Sequence, residues 1–155
     1  MIIADRNLSR AEAAVTKLKD SRFSAAEVNA AELEDVRALI RKANPDIVVN
    51  AVDPRFVMPI FLACEIENVN YMDMAMSLSK PHPEDPFNKP GVKLGDEQFA
   101  RAETWNKNGN YAVVGMGIEP GMSDVFAKYA SDHLFSRIDE VTILDGSNLV
   151  VEGAD

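Results

Sequence analysis

The stretch Tyr111–Asp124, YAVVGMGIEPGMSD, decides how the rest of the chain is read. Tyr111 to Val114 is a short apolar run with strand character, and Gly115-Met116-Gly117 interrupts it. Glu119-Pro120-Gly121-Met122-Ser123 then opens a segment in which Val125, Phe126, Tyr129 and Ala130 recur at helical spacing. The order is strand, glycine turn, acidic residue, helix start. It places one carboxylate, Glu119, and several free backbone N–H groups at the carboxyl edge of a sheet. Ligands bind at that edge in open α/β sheets. A plain βα turn accounts for the same residues, with glycines relieving φ and Pro120 and Ser123 starting a helix.

Upstream the same alternation repeats. Asp46–Ala51 (DIVVNA) is a continuous apolar run, as expected of a strand covered on both faces of a parallel sheet. Val69–Asp73 is the next strand, and between the two Arg55–Asn68 carries Val57, Ile60, Phe61 and Cys64 at helical spacing. Nearer the start, Met1–Ala4 is strand-like, and Ser9 with Glu12 is spaced as a capping box for a helix to about Lys19. Phe23–Val28 reads as a strand ending at Asn29. Glu32–Lys42 reads as a helix with Leu33, Val36, Leu39 and Ile40 on one face. The alternation lapses at Ser77–Lys93, where four prolines mark a long loop, and resumes with a helix over Asp96–Lys107. After the opening stretch a helix runs to about Leu134, and Glu140–Asp145 reads as a last strand. Strands alternating with helices at this spacing predict an α/β fold with a doubly wound parallel sheet, Rossmann-like in form.

Composition sets the limits. A chain of 155 residues is the size of one domain, and 46% apolar with 26% charged residues is a globular composition. The net charge of −9, with no Lys/Arg cluster, argues against nucleic acid or an anionic membrane surface as partner. No apolar run approaches the roughly 18 residues of a membrane span. The single cysteine, Cys64, has no internal partner, so a reducing cytoplasm is the expected location. His82 and His133 stand apart from any metal-ligand spacing, and no metal site is expected.

The connections carry the chemistry. A strand ending in an acidic residue, as in Ile2-Ile3-Ala4-Asp5, is how a dinucleotide fold presents a carboxylate to the adenosine ribose hydroxyls. Asp5 is compatible with NAD, whereas Arg6 beside it suits a 2′-phosphate, so both NAD and NADP are open. Capping of the following helix is the other use of such a residue.

The succession ADRN, NAAE, DIVVNAVDP, ACEIENVNYMDMA and VVGMGIEPGMSDVFAKYA resembles the saccharopine dehydrogenase family in its reductase-type branch. The resemblance runs over nearly all of the chain. It implies an NAD(P)-dependent oxidoreductase acting on the C–N bond of an amino-acid adduct, a small-molecule substrate. The alternatives are a lysine or carboxynorspermidine dehydrogenase-like enzyme, or a truncated, non-catalytic remnant of a cofactor domain. By the same resemblance Asp5 lies on the adenosine ribose and Arg6 beside the adenine. Asn29 stands near the adenine where the family usually has Asp. The turn through Asn50, Ala51 and Val52 passes the pyrophosphate and nicotinamide ribose. Tyr71, Asp73, Met74 and Ala75 flank the nicotinamide, and Gly117 borders the cofactor. Glu119 matches the acidic residue beside the substrate amine, a catalytic position, and Asp145 and Gly146 stand where substrate contacts from a second domain begin. On the residues alone, Tyr71 and Met74 also suit a core, and Asp73 a strand-end cap.

The family's fold begins with a strand and a glycine-rich turn that holds the pyrophosphate. This chain shows neither, and starts on what should be the second strand. The expectation is an incomplete sheet without its first strand, in an internal piece of a longer enzyme. Residues 1–145 would form most of the cofactor domain. Residues 146–155 would begin a C-terminal domain, through which the whole protein forms a homo-oligomer. With the phosphate cradle lacking, the chain alone should bind cofactor weakly and turn nothing over.

Overall fold

The computed structural model describes residues 1–146. Five strands, β1 (Ile2–Asp5), β2 (Ser24–Glu27), β3 (Ile47–Asn50), β4 (Asn70–Asp73) and β5 (Ala112–Val113), alternate with helices. These are α1 (Leu8–Leu18), α2 (Leu33–Ala43), α3 (Val57–Glu67), α4 (Asp96–Phe99), α5 (Ala102–Asn108) and α6 (Met122–His133). All strand pairs are parallel, as βαβ crossovers require. They form two sheets rather than one: β1 with β2, and β3-β4-β5 in that order. In the classical strand order the first strand lies between the second and the fourth. The division between β1 and β3 falls at that place, so the architecture is an incomplete Rossmann-like sheet.

The core belongs to the larger sheet. Val36 and Ile40 of α2, Ile60, Phe61, Ala63 and Cys64 of α3, Tyr71 of β4 and Trp105 of α5 form one buried cluster. Phe61 meets Tyr71 edge-on, with ring centroids 5.2 Å apart and planes at 89°, the geometry that ring quadrupoles favour. The smaller unit is thinner. Of β1, α1 and β2 only Ala11 is buried. It is tethered to the main core by Val28, Ala30 and Leu33, which lead out of β2 and pack against the cluster.

Helix ends explain themselves locally. Asn7, not Ser9, caps α1: its side chain accepts from Ser9 N at 3.0 Å. The expected capping box begins two residues too late because β1 ends at Asp5 and the chain turns at once. Helices α1, α2 and α3 each stop at a left-handed residue, Lys19, Asn44 and Asn68. The helix expected over Asp96–Lys107 is broken at Ala100 and Arg101 into α4 and α5. Arg101 turns there so that its guanidinium reaches the buried carboxylate of Glu65, with Nε at 2.7 Å.

The strand expected over Glu140–Asp145 does not form; these residues lie outside any ladder. A strand exists by pairing its backbone, and no partner strand is offered to this segment among the described residues. Its side chains are accordingly exposed, Leu144 at 93%.

Candidate functional site

Two clusters of residues stand at the carboxyl ends of the strands. The first is on the smaller sheet. Asp5 ends β1, and its Oδ1 accepts from Asn7 N at 2.7 Å, which fixes the turn into α1. The other carboxylate oxygen takes no protein hydrogen bond among the described residues. Asp5, Arg6, Asn7, Ser9, Arg10 and Glu27 line an open cleft of about 660 Å³. Asn29 is half-buried just beyond β2, and its Oδ1 is used locally, accepting from Ala31 N at 3.2 Å.

The second cluster is built where β3, β4 and β5 end. Asn50 is 3% exposed. Its Oδ1 accepts from Val52 N at 3.2 Å, which bends the chain sharply after β3 and leaves Ala51 and Val52 exposed. Asp53 then caps a single 3-10 turn, Pro54–Phe56, accepting from Arg55 N at 2.9 Å. The Arg55 guanidinium beside it holds the Asp53 carboxyl below the usual carboxylate range.

Tyr71 and Asp73 are fully buried, each at 0% exposure, so what they present is a hydrogen-bonded network rather than a surface. Asn50 Nδ2 donates to Tyr71 OH at 2.9 Å, and that hydroxyl donates to Asp73 Oδ2 at 2.9 Å. Burial raises the Tyr71 phenol above its ordinary range, which keeps it a donor. Met74 is exposed and follows directly, its N–H donating to Asn50 O at 3.3 Å. Ala75 is half-buried beside it.

The glycine turn is seated on this network. Gly115 N donates to Asp73 Oδ1 at 2.7 Å and Met116 N to Asp73 O at 2.8 Å. At Gly117 a Cβ would collide with the carbonyl oxygen of Met74, so the turn lies backbone against backbone on the exit of β4. The turn then closes on itself: Gly117 N donates to Pro120 O at 3.0 Å, and Met122 N to Gly117 O at 3.0 Å. The Glu119–Pro120 peptide is cis. Gly121 N donates to Asp124 Oδ2 at 3.0 Å, which begins α6. Glu119 stands exposed at the outside of this closed turn, and its side chain makes no hydrogen bond among the described residues.

The structure therefore gathers Asn50–Val52, Tyr71–Met74 and Gly115–Glu119 into one place, with Asp5, Arg6 and Asn29 on the neighbouring sheet. Asp145 and Gly146 are exposed, and no hydrogen bond joins them to Glu119 among the described residues. Gln98 belongs to the network without having been marked by its sequence. It is 3% exposed, donates through Nε2 to Asp73 Oδ2 at 2.8 Å, and accepts through Oε1 from Ser77 N at 2.8 Å. No group of His, Cys, Asp and Glu side chains among the described residues is placed to hold a metal. No helix among them is long and apolar enough to cross a membrane.

A parallel α/β sheet with an acidic strand end beside an open cleft, and with asparagine and glycine turns gathered at its carboxyl edge, is the frame of a dinucleotide-binding domain. The chain belongs to the saccharopine dehydrogenase family: the model of the saccharopine dehydrogenase NADP binding domain matches residues 1–113. It is 33% identical over 153 residues to the carboxynorspermidine synthase of Vibrio alginolyticus, covering 92% of this chain and 36% of that protein. It is 23% identical over 147 residues to the carboxyaminopropylagmatine dehydrogenase of a Synechocystis species, covering 94% of this chain and 34% of that one. The chain thus spans about a third of the length of these relatives. Among solved structures, apo saccharopine dehydrogenase (L-Glu forming) from Saccharomyces cerevisiae superposes with a TM-score of 0.61 at 15% identity, over 86% of this chain and 25% of that one. That likeness is one of fold.

The domain is an NAD(P)-binding domain of an oxidoreductase family. Its residues fit the cofactor. One carboxylate oxygen of Asp5 takes no protein hydrogen bond among the described residues, in a cleft of about 660 Å³ that Arg6 also lines, and such an acceptor suits a ribose hydroxyl.

Proposed function

We propose that the whole protein is an NAD(P)-dependent dehydrogenase acting at the C–N bond of a carboxylated amine, with Glu119 beside the substrate nitrogen. The observation that carries this reading is the seat of the glycine turn on Asp73. It presents an exposed carboxylate at the carboxyl edge of β3-β4-β5, on a turn packed against Met74, whose N–H donates to Asn50 O. The names of the two curated relatives, which denote carboxylated polyamines, favour an amino-acid or polyamine adduct as substrate.

In this reading Asp5 receives the adenosine ribose, with Arg6 and Asn29 toward the adenine. The backbone of Asn50, Ala51 and Val52 faces the pyrophosphate and nicotinamide ribose, and Met74 and Gly117 border the nicotinamide. Tyr71 and Asp73 act from beneath by holding these turns. When bound, the cofactor supplies the hydride acceptor. Glu119 orients the secondary amine and takes its proton as hydride leaves the adjacent carbon and the C=N bond forms. Asp145 and Gly146 lead toward a substrate-selecting and oligomer-forming domain; the rest of the 146–155 segment assigned to it lies outside the described residues.

The test is Glu119→Gln in an enzyme that contains this chain. The substitution keeps the shape and removes the proton acceptor. Turnover should fall by about 10²–10⁴-fold, the usual scale of a lost general base, with the dinucleotide dissociation constant unchanged in a fluorescence titration. An unaltered kcat would leave Glu119 as an ordinary turn residue.

A further inference from the structure

We infer that Gln98 is a positioning residue. Through the buried carboxylate of Asp73 it holds the Gly115–Gly117 turn, and with it Glu119, in the shape the site uses. The role given to Glu119 rests on the dehydrogenase reading; the relay itself does not.

Asp73 is enclosed and no cation pairs with it among the described residues, so neutral donors alone satisfy it. Three converge on it: Gly115 N at 2.7 Å, Gln98 Nε2 at 2.8 Å and Tyr71 OH at 2.9 Å. A buried carboxyl group with a fixed set of donors is stiff, because moving any one donor exposes the desolvation cost of the oxygen it served.

Gln98 is the member that closes the set. Its amide is used at both ends, donating to Asp73 and accepting from Ser77 N at 2.8 Å. The relay therefore runs from Asn50 through Tyr71 to Asp73, and from Gln98 back to Ser77. Its ends are chain exits rather than core positions. Asn50 governs the turn after β3, Asp73 the exit of β4 and the turn after β5, and Ser77 the start of the long loop. A residue needed only for packing would not be an amide here. An apolar side chain at 98 would leave Asp73 one donor short and the Ser77 N–H without an acceptor, both of them buried.

The experiment uses ¹⁵N-labelled full chain, wild type against Gln98→Met, which keeps bulk and loses the amide. Gln98→Asn serves as a milder second variant, too short to reach both partners. The Gly115 and Met116 amide resonances should shift, and their hydrogen exchange should quicken by about tenfold, the effect of losing about one buried hydrogen bond. Amides of Ile40 and Cys64 in α2 and α3 should keep their exchange rates. Gly115 and Met116 unmoved in the folded variants would overturn the inference. So would an acceleration spread evenly over α2 and α3, which would make Gln98 merely a stabilising residue. Turnover of Glu119→Gln in an enzyme that contains this chain reads the function separately: an unaltered kcat would remove the role of Glu119 and leave the relay to the amide data.

Discussion

Cys64 lies on the face of α3 turned to the core, at 0% exposure. Burial alone pushes its thiol from the ordinary 9.0 up to about 12. The thiolate is the reactive form, so the folded protein should ignore a thiol-alkylating reagent at neutral pH and take up one equivalent after denaturation. The sign of the pH effect follows from the raised value. The contribution of this group to stability is complete below pH 9.0 and is lost as pH rises toward about 12. Rapid alkylation of native protein at neutral pH would show that the core opens around α3. The packing role of Cys64 was legible, because an apolar helical spacing carries a cysteine inward. Glu119, which is exposed, and Asp5, which is half-buried, were legible as edge carboxylates because strand ends and glycine turns define where a carboxylate emerges. Gln98 was not. Its contacts come from residues 73 and 77, across a proline-rich loop whose path no local pattern specifies.

At the scale of single elements, regular structure followed periodicity and short-range capping, while irregular structure followed contacts made at a distance. Helices α2 and α3 appeared as read because their apolar faces meet. Glu67 then ties them, accepting from Arg37 Nε at 2.7 Å and Arg41 Nε at 3.0 Å. The Glu140–Asp145 strand failed because an apolar run needs a ladder, which no sequence window contains. The glycine turn tests this distinction. Gly121 sits at φ +132°, where a Cβ would collide with Gly117 O and lie 2.6 Å from Gly115 O, whereas Gly109 at φ +73° has nothing within 4 Å. Gly109→Ala should therefore cost only the left-handed conformation, about 1 kcal/mol. Gly121→Ala adds a backbone collision and should cost about 3 kcal/mol or displace the turn. Urea unfolding of the two variants measures the difference. Equal losses would mean that the turn is looser than its packing indicates.

For the whole molecule, the division into two sheets sets where the protein is strong. The β3-β4-β5 unit carries nearly all of the buried cluster, while β1, α1 and β2 bury Ala11 alone and attach through Val28, Ala30 and Leu33. Local opening free energy follows buried apolar contact. Native-state hydrogen exchange should therefore show the β1–β2 ladder opening well before the β3–β4 ladder, by on the order of 100-fold in rate. The amides of Ser24 and Val28, which donate to Met1 O and Asp5 O, report on the first, and those of Val48 and Met72 on the second. The cleft that contains Asp5 stands on the weaker unit. Any ligand that binds the folded cleft shifts that local equilibrium by mass action. Saturating dinucleotide should accordingly slow exchange in β1 and β2 far more than in β3 and β4. Uniform exchange across both sheets would mean that they open as one cooperative body, so that binding at Asp5 would stabilise the Glu119 turn directly. A graded pattern would mean that the adenosine end of the site is ordered by its ligand, while the Asp73 network keeps the reacting end fixed beforehand.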